Sequence, residues 1–209
     1  MKEQLIIFPY NGNALEALDC IDESRYELLG FIDDDPQKRN KATGIKICGR
    51  DVLQQYPAAR VLAVPGSPLT YKHRAEAIAS LGIPAERFVS IIHPSATIGK
   101  AVTIGANCLI MAGVVLTSNA VIGDHVCILP NTVVHHDAVV CDYSLIGSNV
   151  TIAGGVTIGR NCYIGSGTGV RNGLTIGTGA LVGLGSVVVR DVAPGDTVAG
   201  NPARIFKKQ

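Results

Sequence analysis

The chain has 209 residues, enough for one large or two small domains, and its composition argues against several classes of protein. A formal net charge of +1 indicates neither a nucleic-acid partner nor an anionic membrane surface. No apolar run approaches the roughly eighteen residues of a membrane span, so we expect a soluble protein without membrane insertion.

The amino terminus and the cysteines indicate a cytoplasmic protein. The first residues, MKEQLIIF, lack the apolar segment and the cleavage site of a signal peptide. The six cysteines form no CxxC pair and have no zinc-ligand spacing. We therefore expect reduced thiols and a location in the cytoplasm.

Residues 1–90 alternate short apolar runs with longer amphipathic stretches, which is typical of βα units. The pattern predicts strands at Leu5–Phe8, Tyr26–Asp33 and Arg60–Val64, and helices at Ala14–Ile21 and Thr70–Gly82. An open parallel sheet with helices on its faces is the simplest fold for these elements. Such a sheet binds ligands beyond the carboxyl ends of its strands, which here means the loops PYNGN, DDD and PGS.

From residue 91 onward the sequence follows a strict six-residue period. Every sixth residue from Ile92 to Val188 is Ile, Leu or Val, and a small or second apolar residue stands four positions after most of them. A β-sandwich would instead need turn signals about every 8–12 residues. The period is the mark of a parallel β-helix, in which three hexapeptides make one coil and the aliphatic side chains stack inward. The sequence thus predicts a Rossmann-like α/β domain at 1–90 and an all-β helix at 91–209 with a carboxyl-terminal tail.

Four motifs together resemble a known family, the left-handed β-helix (hexapeptide-repeat) acyltransferases. They are the repeat itself, the junction IHPSATIG, the sequence VVHHD at 133–137 and the closing VAGNPARIF. The resemblance covers essentially the whole chain and is closest to the sugar O- and N-acetyltransferases of bacterial surface-glycan pathways. It implies a left-handed coil, acetyl-CoA as donor, a nucleotide-linked sugar as acceptor, and a homotrimer with active sites between neighbouring β-helices.

The sequence VVHHD holds the candidate catalytic residues. Val134 points into the helix, so His135 and His136 project outward near a turn, and Gly154 stacks on His136 one coil later. Acyl transfer from a thioester to an amine needs a base and a hydrogen-bond donor for the oxyanion. The resemblance assigns the base to His136 and the acid that fixes its tautomer to Asp137. An exposed turn residue is the alternative interpretation of His136, and His135 either contacts the acceptor or acts as a spacer.

Acetyl-CoA is expected in a groove that runs toward the carboxyl-terminal coils. Gly154 and Gly155 would allow close approach of the cofactor, because neither carries a side chain. Its phosphates need cations and free amides, and Arg171 and Arg204 are the first candidates. Further candidates are Arg190, Lys207 and Lys208, although each of these cations also fits a solvated surface position.

We expect the α/β domain to bind the nucleotide-linked acceptor through Gly12, Asn13, Asp34 and Ser67, which follow its strands. The base is expected close to this domain. Asn13 stands where the family has a histidine, and Leu145 stands where relatives acting on UDP-amino sugars often have another. These two departures leave the chemistry intact and leave the identity of the acceptor open.

Three functions stay open from the sequence. The first is an acetyl-CoA-dependent N-acetyltransferase acting on a nucleotide-linked amino-deoxy sugar. The second is an O-acetyltransferase acting on a sugar hydroxyl, as in the sialic acid branch, and the third is a non-catalytic trimeric scaffold or binding protein. A zinc site like that of the β-helical carbonic anhydrases is not expected, because His125, His135 and His136 are not spaced to converge on one edge.

Overall fold

The computed structural model describes residues 1–39 and 44–206, so the candidates Lys207 and Lys208 lie outside the described residues. The amino-terminal part is a parallel sheet of four strands, β1 (Glu3–Phe8), β2 (Tyr26–Ile32), β3 (Ile47–Cys48) and β4 (Arg60–Ala63). Their order in the sheet is β3-β2-β1-β4. This order matches the first four strands of a Rossmann sheet, and it brings the ends of β1, β2 and β4 to one edge.

The helices of the amino-terminal part are short. They are α1 (Gly12–Glu16), α2 (Pro36–Arg39), α3 (Val52–Gln55) and α4 (Arg74–Ala79), with 3₁₀ turns at Ala17–Cys20, Tyr71–His73 and Ala85–Arg87. The helix predicted at Ala14–Ile21 begins earlier, because the Asn11 side chain accepts a hydrogen bond from the Ala14 amide and caps it. The helix predicted at Thr70–Gly82 is a 3₁₀ turn followed by α4. The sequence pattern did not predict β3, α2 or α3.

The repeat forms the predicted parallel β-helix, with three sheets as its faces. Face 1 contains Ile91–Ile92, Leu109–Ile110, Cys127–Ile128, Leu145–Ile146, Tyr163–Ile164, Leu181–Val182, Thr197–Ala199 and the antiparallel Arg204–Ile205. Face 2 contains Thr97–Ile98, Val115–Leu116, Val133–Val134, Thr151–Ile152, Gly169–Val170 and Val187–Val188. Face 3 contains Thr103–Ile104, Val121–Ile122, Val139–Val140, Thr157–Ile158 and Thr175–Ile176. Each strand pairs with the one a full coil away, as Val134 does with Leu116 and Ile152.

The second residue of each strand forms the core of the β-helix. From Ile110 to Val188 these aliphatic side chains are buried in one continuous cluster. The column begins with Ile92 and Ile98, which pair in register with Ile110 and Leu116 but are exposed. These two residues lie in the first coil, which has no preceding coil to cover it.

The α/β sheet packs on face 1. The outward residues Leu109, Cys127 and Leu145 are buried there in one cluster with Leu5 and Ile7 of β1. Face 1 is therefore apolar on both sides, whereas the outward residues of faces 2 and 3 include many Thr and Val. Burial of apolar surface on both sides of this sheet joins the two parts of the chain.

Two buried polar side chains fix this packing at the corner where face 3 turns into face 1. The amide of Asn107 accepts from Ala63 N at 2.7 Å and donates to Ala63 O at 2.8 Å, so it pairs with the free edge of β4. Arg74, 1% exposed, donates to the carbonyls of Tyr143 at 2.8 Å, His125 at 2.7 Å and Pro65. The loop after β4 is thereby attached directly to two successive coils.

No helix in the described parts of the chain is long and apolar enough to span a bilayer.

Candidate active site

His136 lies on the turn that leads from face 2 to face 3, and its ring is paired with the next residue. Its Nδ1 lies 2.8 Å from Asp137 Oδ2, and the side chains are 63% and 57% exposed. The hydrogen bond from His136, followed by one from Asn119, holds the pKa of Asp137 below its usual value. An ionised carboxylate accepts, so the proton of the neutral imidazole is on Nδ1. Nε2 is then unprotonated, as a general base requires.

The ring of His136 lies across Gly154 in the following coil. A Cβ atom on Gly154 would be 2.6 Å from both Cε1 and Nε2 of that ring. The stacking expected from the repeat is therefore present at the level of side chains. Only glycine leaves room for the imidazole here.

The backbone amides of the two glycines have different partners. The Gly155 amide donates to His136 O at 3.0 Å, so it belongs to the ladder between coils and is not free for a cofactor. In residues 1–39 and 44–206, no acceptor is found for the Gly154 amide. The amides of Ala106 and Asp124, at the same place in other hexapeptides, are capped by aspartates one coil later. The Gly154 amide is thus unpaired among the described residues, and it is the one able to donate to a developing oxyanion.

The predicted cofactor-binding arginines lie at two places. Arg171 is exposed on the same corner as His135, two coils further along. Arg204 belongs to the last strand, donates to the carbonyl of Ala203 at 3.0 Å, and lines a cavity of about 230 Å³ together with Arg190. His135 is half-buried, and its ring makes no hydrogen bond with any of the described residues.

Three of the four predicted acceptor residues meet in one cavity. Gly12, Asn13 and Ser67 line a space of about 290 Å³ between the α/β loops and the β-helix. Asn13 Nδ2 lies 3.5 Å from Gly66 O, and Ser67 Oγ lies 3.0 Å from Thr70 Oγ1. Asp34 instead forms a two-pronged ion pair with Arg50 at 2.7 Å, which holds the pKa of that carboxyl below its usual value.

The opposite wall of this cavity was not predicted from the sequence. It is formed by Leu129, Leu145 and Tyr163 of the β-helix. The sequence identifies Leu145 only as a departure from the family. The available signal was that the outward positions of face 1 are apolar, and the sequence alone does not say which of them the α/β sheet leaves uncovered.

The expected closeness of the base to the α/β domain is wrong within a single chain. The cavity opens beside face 1, and His136 stands on the corner between faces 2 and 3. In a three-faced coil that corner is opposite face 1. The two parts of the predicted site are thus separated by the body of the β-helix.

In the part of the chain that the structure describes, no three His, Cys, Asp or Glu side chains are placed to hold a metal ion.

Two family profiles match the repeat. The bacterial transferase hexapeptide profile (six repeats) matches residues 119–154, and the hexapeptide repeat of succinyl-transferase matches 95–127, 142–171 and 155–190. None of the curated proteins matches the sequence significantly. The coil and the repeat define a hexapeptide-repeat transferase.

Solved structures match over the whole chain. The acetyltransferase domain of PglB from Neisseria gonorrhoeae FA1090, in complex with acetyl coenzyme A, is 26% identical, with a TM-score of 0.84 over 99% of this chain and 100% of that one. PerB from Caulobacter crescentus, in complex with CoA and GDP-perosamine, is 27% identical, with a TM-score of 0.84 over 99% and 98%. The profile matches and these structures support a hexapeptide-repeat sugar acetyltransferase, an enzyme that uses acetyl-CoA as donor.

Proposed function

We propose that this protein transfers an acetyl group from acetyl-CoA to the amino group of a nucleotide-linked amino-deoxy sugar, with His136 as general base. The observation that carries the proposal is the His136–Asp137 pair lying across Gly154, whose amide has no acceptor among the described residues. The similarity to PerB, solved with CoA and GDP-perosamine, supports the acceptor class. We further propose that the protein acts in the cytoplasm and that its β-helix is left-handed.

The reaction follows from these groups. The neutral amine of the sugar attacks the thioester carbonyl of acetyl-CoA, and Nε2 of His136 takes a proton from the attacking nitrogen. Asp137 accepts from Nδ1 and stabilises the imidazolium that forms. The Gly154 amide donates to the oxyanion of the tetrahedral intermediate. Collapse of that intermediate breaks the carbon–sulfur bond and releases CoA as the thiolate, which His136 then protonates, so no covalent enzyme intermediate is needed.

We infer that the working enzyme is a homotrimer in which each site uses two chains. His136 and the cavity of Gly12, Asn13 and Ser67 lie on opposite sides of one β-helix. Packing of three coils side by side would bring the His136 corner of one chain toward the cavity of its neighbour. The groove between the two coils would hold acetyl-CoA, with Arg171 beside it and Arg204 at its carboxyl-terminal end.

The test measures turnover of His136→Ala with acetyl-CoA and GDP-perosamine. Release of the CoA thiol serves as the readout. We expect a loss of roughly 10²–10⁴ in kcat with little change in melting temperature, since the ring is exposed. His73→Ala is the matched control, because His73 is also exposed and paired with a carboxylate, that of Glu76. Near-native turnover of His136→Ala would exclude the base assignment.

The same assay separates the alternative functions. A counterpart of the acceptor with a hydroxyl in place of the amine should be a poor substrate. Preference for that compound would instead identify an O-acetyltransferase. If acetyl-CoA does not bind at all, for example by calorimetry, the protein is a scaffold and not an enzyme.

A further inference from the structure

We propose that Asn119 is a positioning residue for acetyl transfer, which rests on the proposed function of His136. Asn119 Nδ2 donates to Asp137 Oδ1 at 2.9 Å, and the other oxygen of the same carboxylate, Oδ2, lies 2.8 Å from His136 Nδ1. The three side chains form a chain of hydrogen bonds along one corner of the β-helix. Asn119 orients the carboxylate, and the carboxylate orients the base.

Asp137 needs such an anchor because of where it lies. Its side chain is 57% exposed, and an exposed pair of side chains gains little unless its geometry is fixed in advance. Within the described residues, its carboxylate has two side-chain partners, His136 and Asn119. Without Asn119, Oδ1 is released to water and the carboxylate rotates freely about its last torsion. The imidazole would then lose the constraint that holds Nδ1 as the protonated nitrogen.

The repeat explains how Asn119 reaches the carboxylate. Asn119 and Asp137 occupy the same position of successive coils, so their side chains stack at the strand spacing of about 4.8 Å. Both have left-handed backbones, with φ of 62° and 59°. The same backbone at both positions directs the two side chains in parallel from the corner. The amide of Asn119 is thus presented to the oxygen that His136 does not use.

A purely conformational role for Asn119 is the competing explanation. Asparagine tolerates the left-handed region better than most residues, and it occupies other left-handed turns of this β-helix at Asn107, Asn131, Asn149 and Asn161. The test must therefore remove the amide and keep the backbone. Glycine does so, and Gly155 and Gly173 already occupy this corner position in later coils with φ of 68° and 67°.

The experiment compares Asn119→Gly with Asn149→Gly, an exposed asparagine at an equivalent left-handed turn of another corner. With acetyl-CoA and GDP-perosamine, we expect kcat of Asn119→Gly to fall roughly tenfold, the typical effect of one hydrogen bond to a charged group. The KM values of both substrates should change little.

A measurement that needs no sugar acceptor separates the role of Asn119 from the proposed function of His136. In protein labelled with ¹⁵N-histidine, the ring of His136, assigned by comparison with His136→Ala, should show the Nδ1–H form in the parent. Asn119→Gly should show a mixture of both tautomers, and Asn149→Gly should match the parent. If Asn119→Gly also matches the parent in this spectrum and in kcat, the positioning role is excluded while the function of His136 stands. A His136→Ala enzyme with native turnover would overturn both.

Discussion

Gly154 is the residue on which the geometry of the base depends. The imidazole of His136 occupies the space where any side chain at this position would begin. The backbone of Gly154 is not in the left-handed region, so other residues could adopt its conformation. Its identity is therefore set by the ring above it, and not by the turn.

Gly154→Ala should damage catalysis and leave the fold intact. A methyl group 2.6 Å from Cε1 and Nε2 would push the ring aside, and a misplacement of about 1 Å at a reacting group costs up to about 10² in rate. We expect kcat to fall by roughly that factor, with the melting temperature nearly unchanged. Gly169→Ala is the control, because its Cβ would meet nothing within 4 Å and its backbone is likewise not left-handed. Equal turnover in the two variants would contradict the placement of the ring.

At the scale of the element, each two-residue strand contributes one outward and one inward side chain to the coil. In Thr151–Ile152, Thr151 is exposed and Ile152 is fully buried between Val134 and Val170 of the adjacent coils. Two hydrogen-bonded neighbours, one on each side, give a strand this short its stability. Its integrity thus depends on an unbroken stack.

Ile152→Asp should destabilise this stack by several kcal/mol, because it buries a carboxylate without a partner. Thr151→Asp, one residue away on the solvent side, should change stability by less than about 0.5 kcal/mol. Thermal or denaturant unfolding followed by circular dichroism measures both. Similar unfolding midpoints for the two variants would show that the inward register is misassigned.

At the scale of the whole molecule, the arrangement of two parts on opposite sides of one coil sets a requirement for assembly. The α/β sheet covers face 1, and the corner with His136 is left to meet another chain. A trimer would supply each cavity with a base from its neighbour. Under the proposed function, the β-helix supplies the base and the oxyanion donor, and the α/β domain supplies the acceptor cavity.

Co-expression of two inactive variants tests this requirement. Gly12→Trp should block the cavity, because a Cβ at Gly12 meets nothing within 4 Å and its side chain would fill open space lining the site. His136→Ala removes the base. With independent assortment at equal amounts, about a quarter of all sites in the trimer population would combine an intact cavity with an intact His136, and about that share of activity should return. If mixed trimers form and remain inactive, each site is contained in a single chain.

The sequence by itself determined the β-helix and the stacking of His136 on Gly154. A strict six-residue period imposes one inward column per face, and each coil pairs only with its neighbours, so local pattern and tertiary contact coincide. Residues eighteen apart must stack, which is why His136 over Gly154 followed from counting. In the amino-terminal part the sequence pattern found three strands and two helices, and it missed the short β3, α2 and α3.

Only the tertiary structure decided how the two parts meet. The packing of the α/β sheet on face 1, the apolar wall with Leu145, and the bonds of Arg74 to two coils join residues far apart in sequence, and no period relates them. The same holds for the bond from the amide of Asn119 to Asp137, since spacing predicts that two residues stack but not which atoms they share. Separation of His136 from the cavity is likewise a consequence of which face is covered. That choice depends on shape and apolar area summed over both surfaces, which a one-dimensional pattern does not contain.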